Sequence, residues 1–82
     1  MIKYIEESNK VVVYNNNEII GYCEYEQLNN TWNIIHTKVN SNYQGQGIAK
    51  KLVEKVVEKA KKNNITITAD CSYAKKILNN KK

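Results

Sequence analysis

Gln44-Gly45-Gln46-Gly47-Ile48-Ala49 stands between a strand-like segment and the one long helix-like segment of this chain, and its reading decides the fold. Two glycines within three residues let the backbone pass close to another group with no Cβ in the way. The helix that follows opens with unpaired N–H groups, and its dipole favours anions at that end. No Ser, Thr, Asp or Asn stands directly at the expected N-cap to satisfy those donors from within. Lys50 and Lys51 fall in the first turn, where cations ordinarily oppose the dipole. A bound phosphate would reverse that penalty. Two readings follow: a phosphate-binding turn, or a plain helix start with turn glycines.

Two familiar phosphate motifs do not fit. A P-loop closes a longer glycine loop with Gly-Lys-Ser/Thr, and the chain has no Gly-Lys pair. The dinucleotide fingerprint needs a third glycine where Lys50 stands, and a preceding strand in a parallel unit.

After the glycines, Ile48, Leu52, Val56 and Ala60 recur every four residues, with Ala49, Val53 and Val57 beside them. The opposite side carries Lys50, Lys51, Glu54, Lys55, Glu58 and Lys59. The spacing predicts a helix over 47–62 with one wide apolar stripe, laid on a sheet. Asn63-Asn64 ends it. Ile65 to Ala69 then reads as a short strand, parallel to the strand before the helix because a crossover helix joins them. Asp70 or Ser72 is placed to cap a last helix over 73–78, and the Lys-rich tail is expected to fray.

Before the glycines the chain reads as strands. Ile2–Ile5 alternates, Val11–Tyr14 is mostly β-branched, and Asn15-Asn16-Asn17 is a turn signal. Ile19–Tyr25 follows, with Asn29-Asn30 as the next turn, and then 31–39. Strict alternation would put Trp32, Ile34 and His36 on one face of that strand and Ile35, Thr37 and Val39 on the other. The expectation is an α/β domain over 1–82: an antiparallel meander, one long helix, a short strand and a short helix, with no repeat or linker.

The 82 residues bound a small core, burying about 60% of the unfolded surface. The net charge of +5 invites a nucleic-acid partner, yet all 13 basic side chains are Lys. Arg is the usual bidentate reader of phosphate and guanine, so a solvated Lys/Glu surface is the better account. No apolar run reaches the length of about 20 residues that a membrane span needs, and no signal-peptide core opens the chain. Cytoplasmic location with free thiols is the resulting expectation.

Cys23 and Cys71 form no CxxC pair and have only His36 as a histidine companion, which argues against a metal site. Cys71 lies between a strand end and a helix start. There a thiol can have a lowered pKa and act as a nucleophile, or it can be a small buried hydrophobe. Cys23, mid-strand, reads as packing. His36 titrates in the range that suits proton transfer. Its shared strand face with Trp32 offers a packed histidine as the rival reading.

Gln44, Gly47 and Ala49 match the three fixed positions of the acyl-CoA-binding motif Gln/Arg-x-x-Gly-x-Gly/Ala. With His36-Thr37-x-Val39 before it and Cys71-Ser72-Tyr73 after it, the chain from Val11 to Leu78 resembles a compact branch of the GNAT N-acetyltransferase superfamily. The resemblance implies a GNAT-like fold with a mostly antiparallel sheet that opens beside one CoA-binding helix. It implies acetyl-CoA as co-substrate and an unidentified amine as acceptor.

By the same resemblance, Gln44, Gly45, Gln46, Gly47, Ile48, Ala49 and Lys50 offer backbone N–H groups to the CoA pyrophosphate. Thr37 to Val39 would splay from the neighbouring strand and pair with the pantetheine arm, one N–H there polarising the thioester carbonyl. Cys71 would face the acetyl group and either carry it transiently or leave the amine to attack the thioester directly, with Tyr73 as a donor to the leaving thiolate; His36, by its titration range, is the candidate proton acceptor. The two helices that follow the first strand in full-length relatives have no room here. The acceptor site would therefore be open, suited to an amine on a protein or peptide. A CoA-binding sensor or interaction module with little turnover is the alternative.

Overall fold

The structure, a computed structural model, describes residues 1–80. Four strands come first: β1 (Ile2–Glu6), β2 (Lys10–Asn15), β3 (Glu18–Leu28) and β4 (Thr31–Val39). A 3-10 turn over Ser41–Tyr43 leads to α1 (Ile48–Lys62), then β5 (Thr66–Ala69) and α2 (Ser72–Asn80). Lys81 and Lys82, where the sequence leads one to expect a frayed end, lie outside the described residues.

The strands form one sheet in the order β1-β2-β3-β4-β5. The first three pairings are antiparallel and β4–β5 is parallel, as a crossover through α1 requires. The asparagine turns do what the sequence asks of them. Asn16, Asn29 and Asn64 take left-handed φ values of 57, 56 and 56° at the two hairpin ends and past α1. β1 and β2 are joined through Glu7-Ser8-Asn9 alone, with no helix between them.

Ile48, Leu52, Val53, Val56, Val57 and Ala60 of α1 are buried, together with Val11, Val13, Ile20, Cys23, Tyr25, Trp32 and Ile34 of the sheet. Ala74 and Ile77 of α2 join the same cluster, so both helices cover one face of the sheet. Each fully buried aliphatic side chain contributes about 1.5–3 kcal/mol, which makes the α1 stripe a main source of stability. Tyr25 stacks on Trp32 at 4.5 Å between ring centres, and Lys59 closes the end of this pair 5.8 Å above the indole. No helix among the described residues is long and apolar enough to cross a membrane.

The strict alternation expected along β4 does not hold. Glu24 pairs with His36 and Tyr25 with Ile34, so Ile35 is an extra residue with no partner on β3. Such a bulge inverts the facing of everything after it. Trp32 and Ile34 enter the core as expected, but His36 is exposed, and Val39 takes the helix side in its place. His36 is thus not a packed neighbour of Trp32.

The second consequence of β4 lies at its other edge. Pairing with β5 runs from Thr31↔Thr66 to Ile34↔Ala69 and stops there. Among the described residues, β4 from Ile35 to Val39 has no strand partner on that side.

Candidate active site

The turn before α1 keeps the conformation that its glycines allow. Gly45 and Gly47 have φ values of 82 and 79°, a region that costs other residues energy. A Cβ built on either would meet nothing within 4 Å. The glycines therefore serve the backbone angle and leave open space beside it.

Gly47 is the N-cap of α1 and supplies no side-chain hydrogen bond. The first helical bond runs from the Lys51 N–H to the Gly47 carbonyl at 3.1 Å. Among the described residues, the backbone N–H groups from Gly45 to Lys50 reach no acceptor. Donors in such a run form a ready anion site.

The Gln44 side chain does something the motif alone does not reveal. Its Nε2 donates to the Val39 carbonyl at 3.2 Å and ties the turn to the end of β4. Asn40 shapes the same corner by accepting the Asn42 N–H on its side-chain oxygen at 2.9 Å.

Between the unpaired part of β4 and the start of α1 lies a cleft of about 560 Å³. Thr37, Val39, Gln44, Gly45, Gly47, Ile48 and Ala49 line it, all of them expected from the sequence. Gln46 and Lys50 are exposed and do not line it. Tyr43 and Tyr73 complete the wall. Tyr43 is held by the Asn15 amide, which donates to its hydroxyl at 2.8 Å.

Cys71 is half-buried where β5 leaves β4. Its N–H and that of Asp70 both donate to the Ile34 carbonyl, at 3.2 and 2.9 Å. Its own carbonyl takes the Lys75 N–H at 2.9 Å, the first bond of α2. Cys71 is therefore the N-cap, a place the sequence assigned to Asp70 or Ser72. Asp70 is drawn away by the Asn33 amide, which donates to it at 2.9 Å, while Thr68 donates to the same Asn33 at 3.0 Å.

Burial opposes ionisation of the Cys71 thiol, yet the N–H groups of Ala74 and Tyr73 and both the hydroxyl and N–H of Thr37 point to it, and their sum lowers its pKa below the ordinary value of 9.0. Donors aimed at a thiolate stabilise the charged form.

Cys23 is its opposite. It is fully buried in β3, directly across from Thr37, whose hydroxyl hydrogen-bonds its sulfur at 3.5 Å. Burial pushes its thiol up to about 11.

His36 is not brought to this group. It lies on the far side of β4 from Thr37 and Val39, opposite Glu24. Among the described residues no cluster of His, Cys, Asp and Glu has the makings of a metal site.

Known proteins place this architecture. The family model described as GCN5-related N-acetyl-transferase matches residues 3–82. A GCN5-like protein from Staphylococcus aureus, solved in solution by NMR, is 38% identical, with a TM-score of 0.76 over 95% of this chain and 78% of its own. A GNAT-family acetyltransferase from Staphylococcus aureus Mu50 is 29% identical, with a TM-score of 0.68 over 76% of this chain and 41% of its own. A Bacillus anthracis acetyltransferase solved with acetyl coenzyme A is 27% identical, with a TM-score of 0.65 over 80% of this chain and 40% of its own. The chain thus spans less than half the length of these last two. No curated protein sequence matches it. The sheet that opens beside a glycine-led helix and the match across nearly the whole sequence agree: the chain belongs to the GCN5-related N-acetyltransferase family, enzymes that use acetyl-CoA to acetylate amines.

Proposed function

We propose that this chain moves an acetyl group from acetyl-CoA to an amine in two steps, with Cys71 as the first acceptor. The observation that carries the reading is the place of Cys71, half-buried where β5 leaves β4 and at the start of α2, beside the cleft that Thr37 and Tyr73 line. The unpaired N–H groups from Gly45 to Lys50 fit the pyrophosphate, and the free edge of β4 fits the pantetheine arm as a surrogate strand.

Acetyl-CoA supplies an activated acyl group as a thioester. The Cys71 thiolate attacks the acetyl carbonyl carbon, an S–C bond forms, and the bond to the CoA sulfur breaks. N–H donors at Thr37, Tyr73 and Ala74 would hold the oxyanion in the place the thiolate has left. CoA departs as a thiolate and takes a proton from Tyr73, whose phenolate regains one from water. A neutral amine then attacks the acetyl-cysteine, Cys71 leaves as a thiolate, and the amine proton passes to water. No acidic side chain lines the cleft, so nothing there selects a cationic small molecule. With β1 joined directly to β2, an amine on a peptide or protein can approach without crossing a wall.

Incubation with acetyl-CoA should add one acetyl mass that hydroxylamine removes, and Cys71→Ala should lose it. A Cys71→Ala protein that acetylates an amine at the wild-type rate would eliminate the covalent route. Direct attack on CoA-bound acetyl would then remain.

A second reading is a CoA-binding module with little turnover. It is favoured by the position of His36, which leaves tyrosines as the only ionisable side chains lining the cleft. Tight CoA binding with no acetyl transfer to any amine would establish it.

A further inference from the structure

We infer that Asn15 is a positioning residue for the CoA-binding turn: through its bond to the Tyr43 hydroxyl it holds Gln44 to Gly47 in the form that meets the pyrophosphate. This rests on the reading of the donors from Gly45 to Lys50 as the pyrophosphate site and extends it to the end of β2.

The turn has few holds of its own. It carries two left-handed glycines, and glycine loses more conformational freedom on ordering than any other residue. Its hydrogen bonds are mostly local. The Tyr43 N–H reaches the Asn40 carbonyl at 2.9 Å, the Gln44 N–H the Ser41 carbonyl at 3.4 Å, and the Gln44 side chain the Val39 carbonyl at 3.2 Å. Among the described residues, one hydrogen bond of the stretch from Ser41 to Gly47 reaches beyond residues 39–51. It is the 2.8 Å bond from Asn15 Nδ2 to the Tyr43 hydroxyl oxygen. The Tyr43 ring also packs against the core, but apolar contact is non-directional, and the hydrogen bond sets where along that contact the ring stops.

The anchor is rigid. Asn15 belongs to β2 and is paired on both sides, with Ile2 of β1 and Glu18 of β3. Its amide has one orientation: Oδ1 accepts from the Met1 nitrogen at 3.0 Å, which leaves Nδ2 for Tyr43. Tyr43 in turn lines the cleft directly before the glycine turn. A turn already held in its binding form loses less freedom when the ligand arrives, and its affinity is higher by that difference.

The test is isothermal titration of CoA into the members of a double-mutant cycle. Asn15→Ala and Tyr43→Phe each remove the bond, and the second keeps the ring. Each should weaken CoA binding about fivefold, the order of one neutral hydrogen bond. The double variant should also be weaker by about fivefold, because one bond can be lost only once. Losses that multiply to about twenty-five-fold would mean two independent effects and overturn the inference. Wild-type affinity in either folded single variant overturns it as well. If Asn15→Ala does not fold, Asn15→Leu takes its place in the cycle.

Cys71, on the β5 side of the opening, supplies the control for general loosening. Its alkylation by iodoacetamide without CoA should keep the wild-type rate in Asn15→Ala, and a rate that changes along with the affinity overturns the inference. Gly47→Val separates Asn15 from the site itself. Wild-type affinity in a folded Gly47→Val protein sinks the turn as the pyrophosphate site, and Asn15 with it. Loss of binding there with none in Asn15→Ala sinks Asn15 alone.

Discussion

The Ile34 carbonyl receives both the Asp70 and the Cys71 N–H, at 2.9 and 3.2 Å, and with that shared oxygen the pairing of β4 and β5 ends. The place of Cys71 and the opening of the sheet are set by one residue. Cys71 cannot drift from the free edge of β4 without breaking the bond that ends the ladder.

At Gly47, φ is 79° and a Cβ would stand in open space beside the cleft that Gly47 lines. Gly47→Val should therefore fold with a penalty of about 1–2 kcal/mol for the left-handed backbone. CoA affinity should fall more than tenfold, because the side chain blocks backbone approach. Isothermal titration decides it: a folded variant with wild-type affinity would remove the pyrophosphate site from this turn.

CoA should raise the melting temperature. A chain of 82 residues has a small core, and among the described residues the donors from Gly45 to Lys50 lack acceptors. At ligand a hundredfold above its dissociation constant the gain should be about 2.7 kcal/mol. A scan at saturating CoA with an unmoved midpoint would count against a native site.

Gly21 faces the Lys38 carbonyl so closely that a Cβ would sit 2.8 Å from it, with Val13 and Val39 at 3.1 and 3.2 Å. Gly21→Ala must push β3 and β4 apart. The expected loss is about 1–3 kcal/mol in urea unfolding, and because Val39 lines the cleft, CoA affinity should fall with it. A variant as stable as the wild type would show that the strands separate at no cost.

Cys23 gives an alkaline signature. Its folded pKa, about 11, lies above the ordinary 9.0 of an unfolded thiol. The unfolded chain therefore releases this proton first. The contribution is fully present below pH 9 and is lost as pH rises from there through 11, a total of about 3 kcal/mol by linkage. Cys23→Ala should lower stability at pH 8 yet decline less steeply between pH 9 and 11. Equal slopes for the two proteins would mean that the thiol ionises in place.

Much of this was legible in advance because periodicity reports packing. The recurrence of Ile48, Leu52, Val56 and Ala60 became the buried stripe of α1, and the glycines at 45 and 47 became the left-handed turn. The facing of β4 was not legible. A bulge adds one residue without changing composition, so Ile35 looks like any strand residue and His36 inherits the wrong face. Cys71 as a cap was hidden by propensity, since Asp70 and Ser72 are better caps on average. Only the tertiary bond to Asn33 takes Asp70 out of contention. Tyr43 was not legible as a wall of the cleft, because an aromatic beside a turn reads as packing.

The direct passage from β1 to β2 has a kinetic meaning. With no helices rising there, water would arrive at Cys71, were it acetylated as proposed, as freely as an amine would. Among the described residues nothing would postpone the proposed acyl loading until an acceptor has docked. On the two-step route, economy would then depend on competition: each acetyl group would be delivered when the amine is abundant, and would leak to hydrolysis when it is scarce.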